Sequence, residues 1–159
     1  MHTCVVADSG PLLAFLDPAE ARHREVVAAM RDLPLPWLTA ESVLSELTWL
    51  LRRNGRRMTL VNRIVASGMV EVVPLFPACA DDIAELMARY ENVPMSLADA
   101  CLVKLSELHA DAALLTFDSD FQIYRRFQRE PVPLVRLPQR VQERAPDYAT
   151  TESPSSRPA

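Results

Sequence analysis

Four acids in this chain stand where their local sequence offers no counter-charge: Asp8, Glu46, Asp99 and Asp118. Asp8 closes the apolar run Val5-Val6-Ala7, and Ser9, Gly10 and Pro11 follow at once. No Lys or Arg lies within ten positions on either side of it. An acid at the carboxyl end of a buried strand is where open α/β sheets place ligand groups. Asp118 repeats the arrangement after the run Ala112 to Thr116, with Thr116 two residues before it and Asp120 two after. Glu46 falls mid-helix at the edge of an apolar stripe made by Val43, Leu44, Leu47, Leu50 and Leu51. Its helical neighbours Ser42, Val43, Trp49 and Leu50 include no cation, so a surface ion pair along the helix is excluded. A half-buried carboxylate there needs a partner from elsewhere or a metal. Asp99 lies in the first turn of the apolar helix that begins at Ser96.

Each acid also has an ordinary explanation. Asp8 and Asp118 suit helix N-caps. Ser96-Leu97-Ala98-Asp99 reads as a capping box, and Asp120 as a first-turn acid. Glu46 could simply point its head into water. Taken jointly the caps explain less, because two strand ends and a helix start can share one edge of a parallel sheet. Carboxylates converging there repel one another unless a divalent cation sits among them. An all-oxygen donor set of this kind suits Mg²⁺ or Mn²⁺ and not Zn²⁺.

The elements that must position these acids alternate between strand and helix. Strands are expected over 3–7, 37–39, 69–74, 112–116 and 132–137. Helices are expected from the capping box Asp17-Pro18-Ala19-Glu20 to about Arg31, and over 41–53, 56–67, 77–90, 96–109 and 119–127. This order implies an α/β fold, a three-layer α/β/α sandwich around a central, mostly parallel sheet. Residues 1–137 form one domain by this reading. Residues 138–159, rich in Pro, Ser, Thr, Gln and charge, are expected to be a disordered tail.

Composition removes other classes. The net charge of −4 and pI near 5.4 give no global basic field, so any nucleic-acid contact must be local. The densest basic clusters are Arg52, Arg53, Arg56 and Arg57, then Arg125, Arg126 and Arg129. The first also suits a solvated helix end beside the C-terminal dipole. Three scattered cysteines, Cys4, Cys79 and Cys101, form neither a disulfide frame nor a zinc site. No run is long enough for a membrane span and no signal core is visible, so a cytoplasmic protein is expected. Lys104, the single lysine, is mid-helix, which rules out a phosphate-binding Gly-Lys loop. Nucleophilic Ser or Cys catalysis would want a paired His, and His2, His23 and His109 are isolated. A receiver domain also gathers aspartates at strand ends, but it needs a lysine at a late strand end.

The ordered set Val5 to Leu13, Val43-Leu44-Ser45-Glu46, Tyr90, Pro94 to Ala100 and Leu115 to Phe121 resembles a PIN domain, closest to the small VapC-like toxin ribonucleases. The likeness spans about residues 3–137. It implies a metal-dependent endoribonuclease whose acidic quartet is Asp8, Glu46, Asp99 and Asp118, using Mg²⁺ or Mn²⁺. It implies that Asp8, Asp99 and Asp118 hold metal and that Glu46 holds a second ion or orients water. Ser9, Thr116 and Asp120 support the quartet, and Arg52, Arg53, Arg56 and Arg57 meet RNA. It further implies a homodimer and a cognate antitoxin, the toxin being one half of a type II pair. The alternative is a PIN-fold module that binds RNA or protein without cutting.

Overall fold

The computed structural model describes residues 3–76 and 78–137. Its centre is a four-stranded sheet, all parallel. The strands are β1 (Cys4–Ala7), β2 (Trp37–Ala40), β3 (Val70–Val73) and β4 (Ala112–Leu115), in spatial order β3-β2-β1-β4. Val5 pairs with Trp37 on one side and Ala113 on the other. Side chains alternate between the two faces of a strand, yet every residue of β2 and β4 is buried. Both faces are therefore covered, as a parallel sheet requires.

Among the described residues the cover comes from six helices: α1 (Ser9–Leu16), α2 (His23–Ala29), α3 (Glu41–Arg53), α4 (Thr59–Ala66), α5 (Ala80–Arg89) and α6 (Leu97–Leu108). α6 is the central one. Ala98, Ala100, Cys101, Leu102, Val103 and Leu105 are all buried, because it packs on β1, β2 and β4 and also meets α3 and α5. α1 packs between α2 and α3. Asn54-Gly55 stops α3 as expected, with Gly55 at φ +70°, a left-handed conformation that suits glycine. No helix among the described residues is long and apolar enough to cross a membrane.

Three elements differ from the sequence expectation. Asp17-Pro18-Ala19-Glu20 does not open a helix; it is a turn, and α2 begins only at His23. Asp17 is drawn into a tertiary contact instead. It is 1% exposed, its Oδ1 accepts from the Arg56 Nε at 2.9 Å and Nη2 at 2.5 Å, and its Oδ2 accepts from Asn54 Nδ2 at 3.2 Å. The stretch 119–127 forms only a 3-10 turn, Ser119–Gln122, followed by a two-residue hairpin of β5 (Arg125–Arg126) and β6 (Glu130–Pro131). The last expected strand shrinks to one parallel bridge, Leu114 to Leu134, with Leu114 N–H bonded to Pro133 O and Val135 N–H to Leu114 O. Pro131 and Pro133 lack the N–H groups that a full ladder needs. Pro77, at the expected start of α5, and the tail 138–159 lie outside the described residues.

The Asp17–Arg56 contact ties the end of α1 to the end of α3. Hydrogen bonds from Arg56 hold the Asp17 carboxyl below its ordinary range. A depressed acid contributes stability above its unfolded pKa and loses it as pH falls through the folded value. Arg56→Gln should therefore lower the melting temperature by several degrees at neutral pH, and the difference from the parent should shrink towards about pH 3. Thermal melts at the two pH values check this; an equal difference at both would mean that Arg56 acts by packing alone.

Candidate metal-binding acidic site

The acids gather at the carboxyl edge of the sheet. Asp8 follows β1 directly and its amide continues the ladder to Leu115 O at 3.0 Å. The next residue starts α1, so Asp8 is both strand end and N-cap. Its Oδ1 accepts from the Ser9 N–H at 2.6 Å and its Oδ2 from the Thr116 hydroxyl at 2.6 Å. Thr116 has a second task, since its Oγ1 accepts the Asp118 N–H at 3.0 Å. One hydroxyl thus joins the loop after β4 to the end of β1. Gly10 lets that loop come close: a Cβ there would lie 3.3 Å from the Phe117 ring.

Asp118 caps the 3-10 turn by accepting the Asp120 N–H at 2.8 Å. Asp99 completes the capping box of α6, its Oδ2 accepting the Ser96 N–H at 2.9 Å while its own N–H bonds to Ser96 Oγ at 3.0 Å. Capping and clustering are both present. Each cap bond engages one oxygen of a two-oxygen group, so the caps orient these carboxylates without consuming them.

The electrostatics join the acids into one site. Burial pushes the Asp8 carboxyl up to about 6, against the lowering effect of its two hydrogen bonds, and the charges of Asp99 and Glu46 push it further up. Burial also raises Asp99, and Asp118 and Asp120 add to the rise. Asp8 is therefore within electrostatic reach of Glu46 and Asp99, and Asp99 of Asp118 and Asp120. Glu46 is exposed, which favours the reading with its head in water over the half-buried one; it lies at the rim and its charge still reaches Asp8. Among the described residues, no three acidic, His or Cys side chains are gathered tightly enough to hold an ion as they stand. The donor chemistry, oxygen throughout, fits a hard divalent ion.

Tyr124 was not anticipated. It is fully buried, stacked edge-on against Tyr90 and Phe121, and its hydroxyl has no hydrogen-bond partner among the described residues. Burial, then the charges of Asp99, Asp120 and Asp118, push the phenol up to about 12. The sequence shows only an aromatic three residues after Phe121, which reads as core. Ser9 is buried and offers Asp8 its backbone N–H.

The basic clusters divide. Arg52, Arg53 and Arg57 are exposed, the first two in the last turn of α3. Arg56 is committed to Asp17, so it leaves the set of four arginines expected to be free for RNA. In the second cluster, Arg125 bonds to the carbonyls of Gln122, Ile123 and Tyr124, and Arg126 to those of Ser106 and Ala110. Those two pin the hairpin in place. Lys104 pairs with Asp82 and Glu107 on the flank of α6, away from any strand end, against the receiver-domain alternative.

No curated protein sequence matches the chain. Among solved structures, the fold is similar to that of VapC20 from Mycobacterium tuberculosis, described as a sarcin–ricin loop cleaving toxin. The TM-score is 0.68 at 21% identity, covering 80% of this chain and 99% of that one. The family model of the PIN domain matches residues 5–126, well over half the length, and the chain belongs to the PIN domain family.

Proposed function

We propose that this PIN domain is a metal-dependent endoribonuclease and the toxin of a type II toxin–antitoxin pair. The observation that carries the reading is the set of like charges around Asp8. Asp99 and Glu46 act on Asp8, and Asp118 and Asp120 act on Asp99, at the carboxyl edge of the sheet. A fold needs no such arrangement for stability. Family membership and the VapC20-like fold support the same conclusion.

In this reading Asp8, Asp99 and Asp118 would hold Mg²⁺ or Mn²⁺, and Glu46, at the rim, would hold a second ion or orient the attacking water. A bound ion would lower the pKa of that water and offset charge building on the scissile phosphate. The chain's own part is to aim the oxygens. Ser9 N–H and the Thr116 hydroxyl set the Asp8 carboxylate plane, and the Ser96 and Asp120 amides do the same for Asp99 and Asp118. RNA phosphates would meet Arg52, Arg53 and Arg57. A cognate antitoxin would place an Arg or Lys side chain among the acids in a charge-assisted contact, and a homodimer is the proposed assembly. The proposed nuclease domain is residues 1–137, so removing residues after Pro138 should leave activity nearly unchanged. A binding module without nuclease activity would have no use for all four acids.

Asp8→Asn separates the readings. It keeps the shape, and Asn caps a helix nearly as well as Asp. We expect loss of Mg²⁺-dependent RNA cleavage. Mg²⁺ at about 100 times its Kd should stabilise the parent by roughly 2.7 kcal/mol, and the variant much less. Melting temperatures with and without Mg²⁺ provide the check. Equal shifts in the two proteins would put Asp8 outside any metal site.

A pH series in metal-free buffer tests the burial of Asp8 independently. Its carboxyl is raised from 3.8 to about 6, so the protonated form is favoured in the folded state. The associated stability is full below about pH 4 and is lost as pH rises through about 6. Asp8→Asn removes that loss. Its stability relative to the parent should therefore grow between about pH 4 and 6, by an amount on the order of 3 kcal/mol at most, and then level off. Parallel melting curves across that window would show Asp8 to be solvated.

A further inference from the structure

One exposed face of α3 runs from Glu46 to Arg53. Glu46, Trp49 and Arg53 are spaced three and four residues apart, which puts them on one helical face. At the rise of a helix, Trp49 stands about 4.5 Å and Arg53 about 10.5 Å further along the axis than Glu46. Trp49 is 57% exposed, whereas Trp37, the other tryptophan, is wholly buried. The Arg53 guanidinium lies over the Trp49 ring at 5.0 Å from its centroid. Beside the ring a cavity of about 420 Å³ opens between Thr48, Arg52, Arg56 and Met58, and Met58 is itself 51% exposed. Among the described residues Arg52, Arg53 and Arg57 form no ion pair, so their charge is available on a chain whose net charge is −4.

An exposed ring with Arg53 over one face, a cavity beside it and further unpaired guanidiniums nearby suits one kind of partner. Bases stack on the ring and phosphates meet the arginines, with Arg adding a cation–π contribution. A duplex hides its base faces, so the partner is single-stranded. Its strand would enter over the arginines and reach the acids within one or two helical turns. We propose that Trp49 is the stacking platform for an unpaired RNA base next to the phosphate that is cut, with Arg53, Arg52 and Arg57 holding the phosphates beyond it. The assignment rests on the nuclease reading of the acidic centre.

The test uses the full chain in EDTA, where nothing is cut, and a short unstructured oligoribonucleotide. Because Trp37 is buried, quenching of tryptophan fluorescence by the oligonucleotide reports on Trp49. Inorganic polyphosphate, which carries charge and no bases, should bind without comparable quenching. By anisotropy of a labelled oligonucleotide, Trp49→Ala should weaken binding about tenfold, on the scale of one stacked base, and Trp49→Phe should retain most of it. The slope of log affinity against log salt should be unchanged in Trp49→Ala and smaller by about one in Arg53→Ala. Parental affinity in Trp49→Ala overturns the proposal. So does an absence of quenching, or a change of oligomeric state in Trp49→Ala with RNA affinity intact, which would make this face a protein interface. A Mg²⁺ cleavage assay keeps the two ideas apart. RNA that stacks on Trp49 but is never cut refutes the nuclease reading alone, while cleavage with an unchanged KM in Trp49→Ala refutes the platform alone.

Discussion

Asp8 is held between a buried strand and a helix start, with both oxygens hydrogen-bonded and other acids pressing on it. That constraint organises the rest. To bring Thr116 within 2.6 Å, β4 must lie directly beside β1, in the register that pairs Ala7 with Leu115. To bring Glu46 and Asp99 within reach, α3 and α6 must both meet near this edge, and they do pack on each other. Thr116 then carries the link onward to the Asp118 amide. The apolar sheet and helices below supply the rigidity that holds mutually repelling groups together, because interiors packed at crystal-like density yield little.

Capping and chemistry are often weighed as rivals, but here they act through the same atoms. A carboxylate that caps a helix has a fixed rotamer and lies close to backbone N–H dipoles that favour its charged form. A ligand for a hard cation needs the same two properties. Burial opposes them, and in Asp8 burial outweighs both hydrogen bonds. The result is a site whose acids are oriented in advance yet strained as anions. A positive charge entering it relieves that strain, whether the charge belongs to an ion or to a side chain.

The sequence disclosed most where one local rule met no competitor. The strand before Asp8, the apolar α6, and α3 with its Asn54-Gly55 stop all lie close to where pattern and capping signals put them. It misled where a tertiary partner claimed the signal. Asp17 has the spacing of a helix cap, but Arg56, 39 residues later, takes its carboxylate, and no local rule can see that pairing. The strand expected over 132–137 obeyed its apolar pattern but ignored its prolines. Glu46 was placed at the edge of a stripe, and a stripe edge does not say whether a long side chain turns inward or into water. Tyr124 was invisible for a different reason: its ring behaves as core, and only the fold puts acids near its hydroxyl.

The two electrostatic features of the fold pull in opposite directions. Asp17 is nearly inaccessible but has a guanidinium and an amide for partners, so its charged form is favoured. Asp8 is almost as buried but has no cationic partner, so burial raises its carboxyl to about 6 and the neighbouring acids add to the rise. Burial is common to both carboxylates; the presence or absence of a cationic partner sets them apart. The same test divides the arginines. Arg56 adjoins Arg52, Arg53 and Arg57 in the sequence, yet only Arg56 meets a buried acid. The others keep their charge on the surface, and Arg53 lies on the face of α3 that leads back to Glu46. A run of like residues thus splits into one anchor and a patch of free positive charge, and Arg53 of that patch shares a helical face with Glu46, whose charge acts on Asp8.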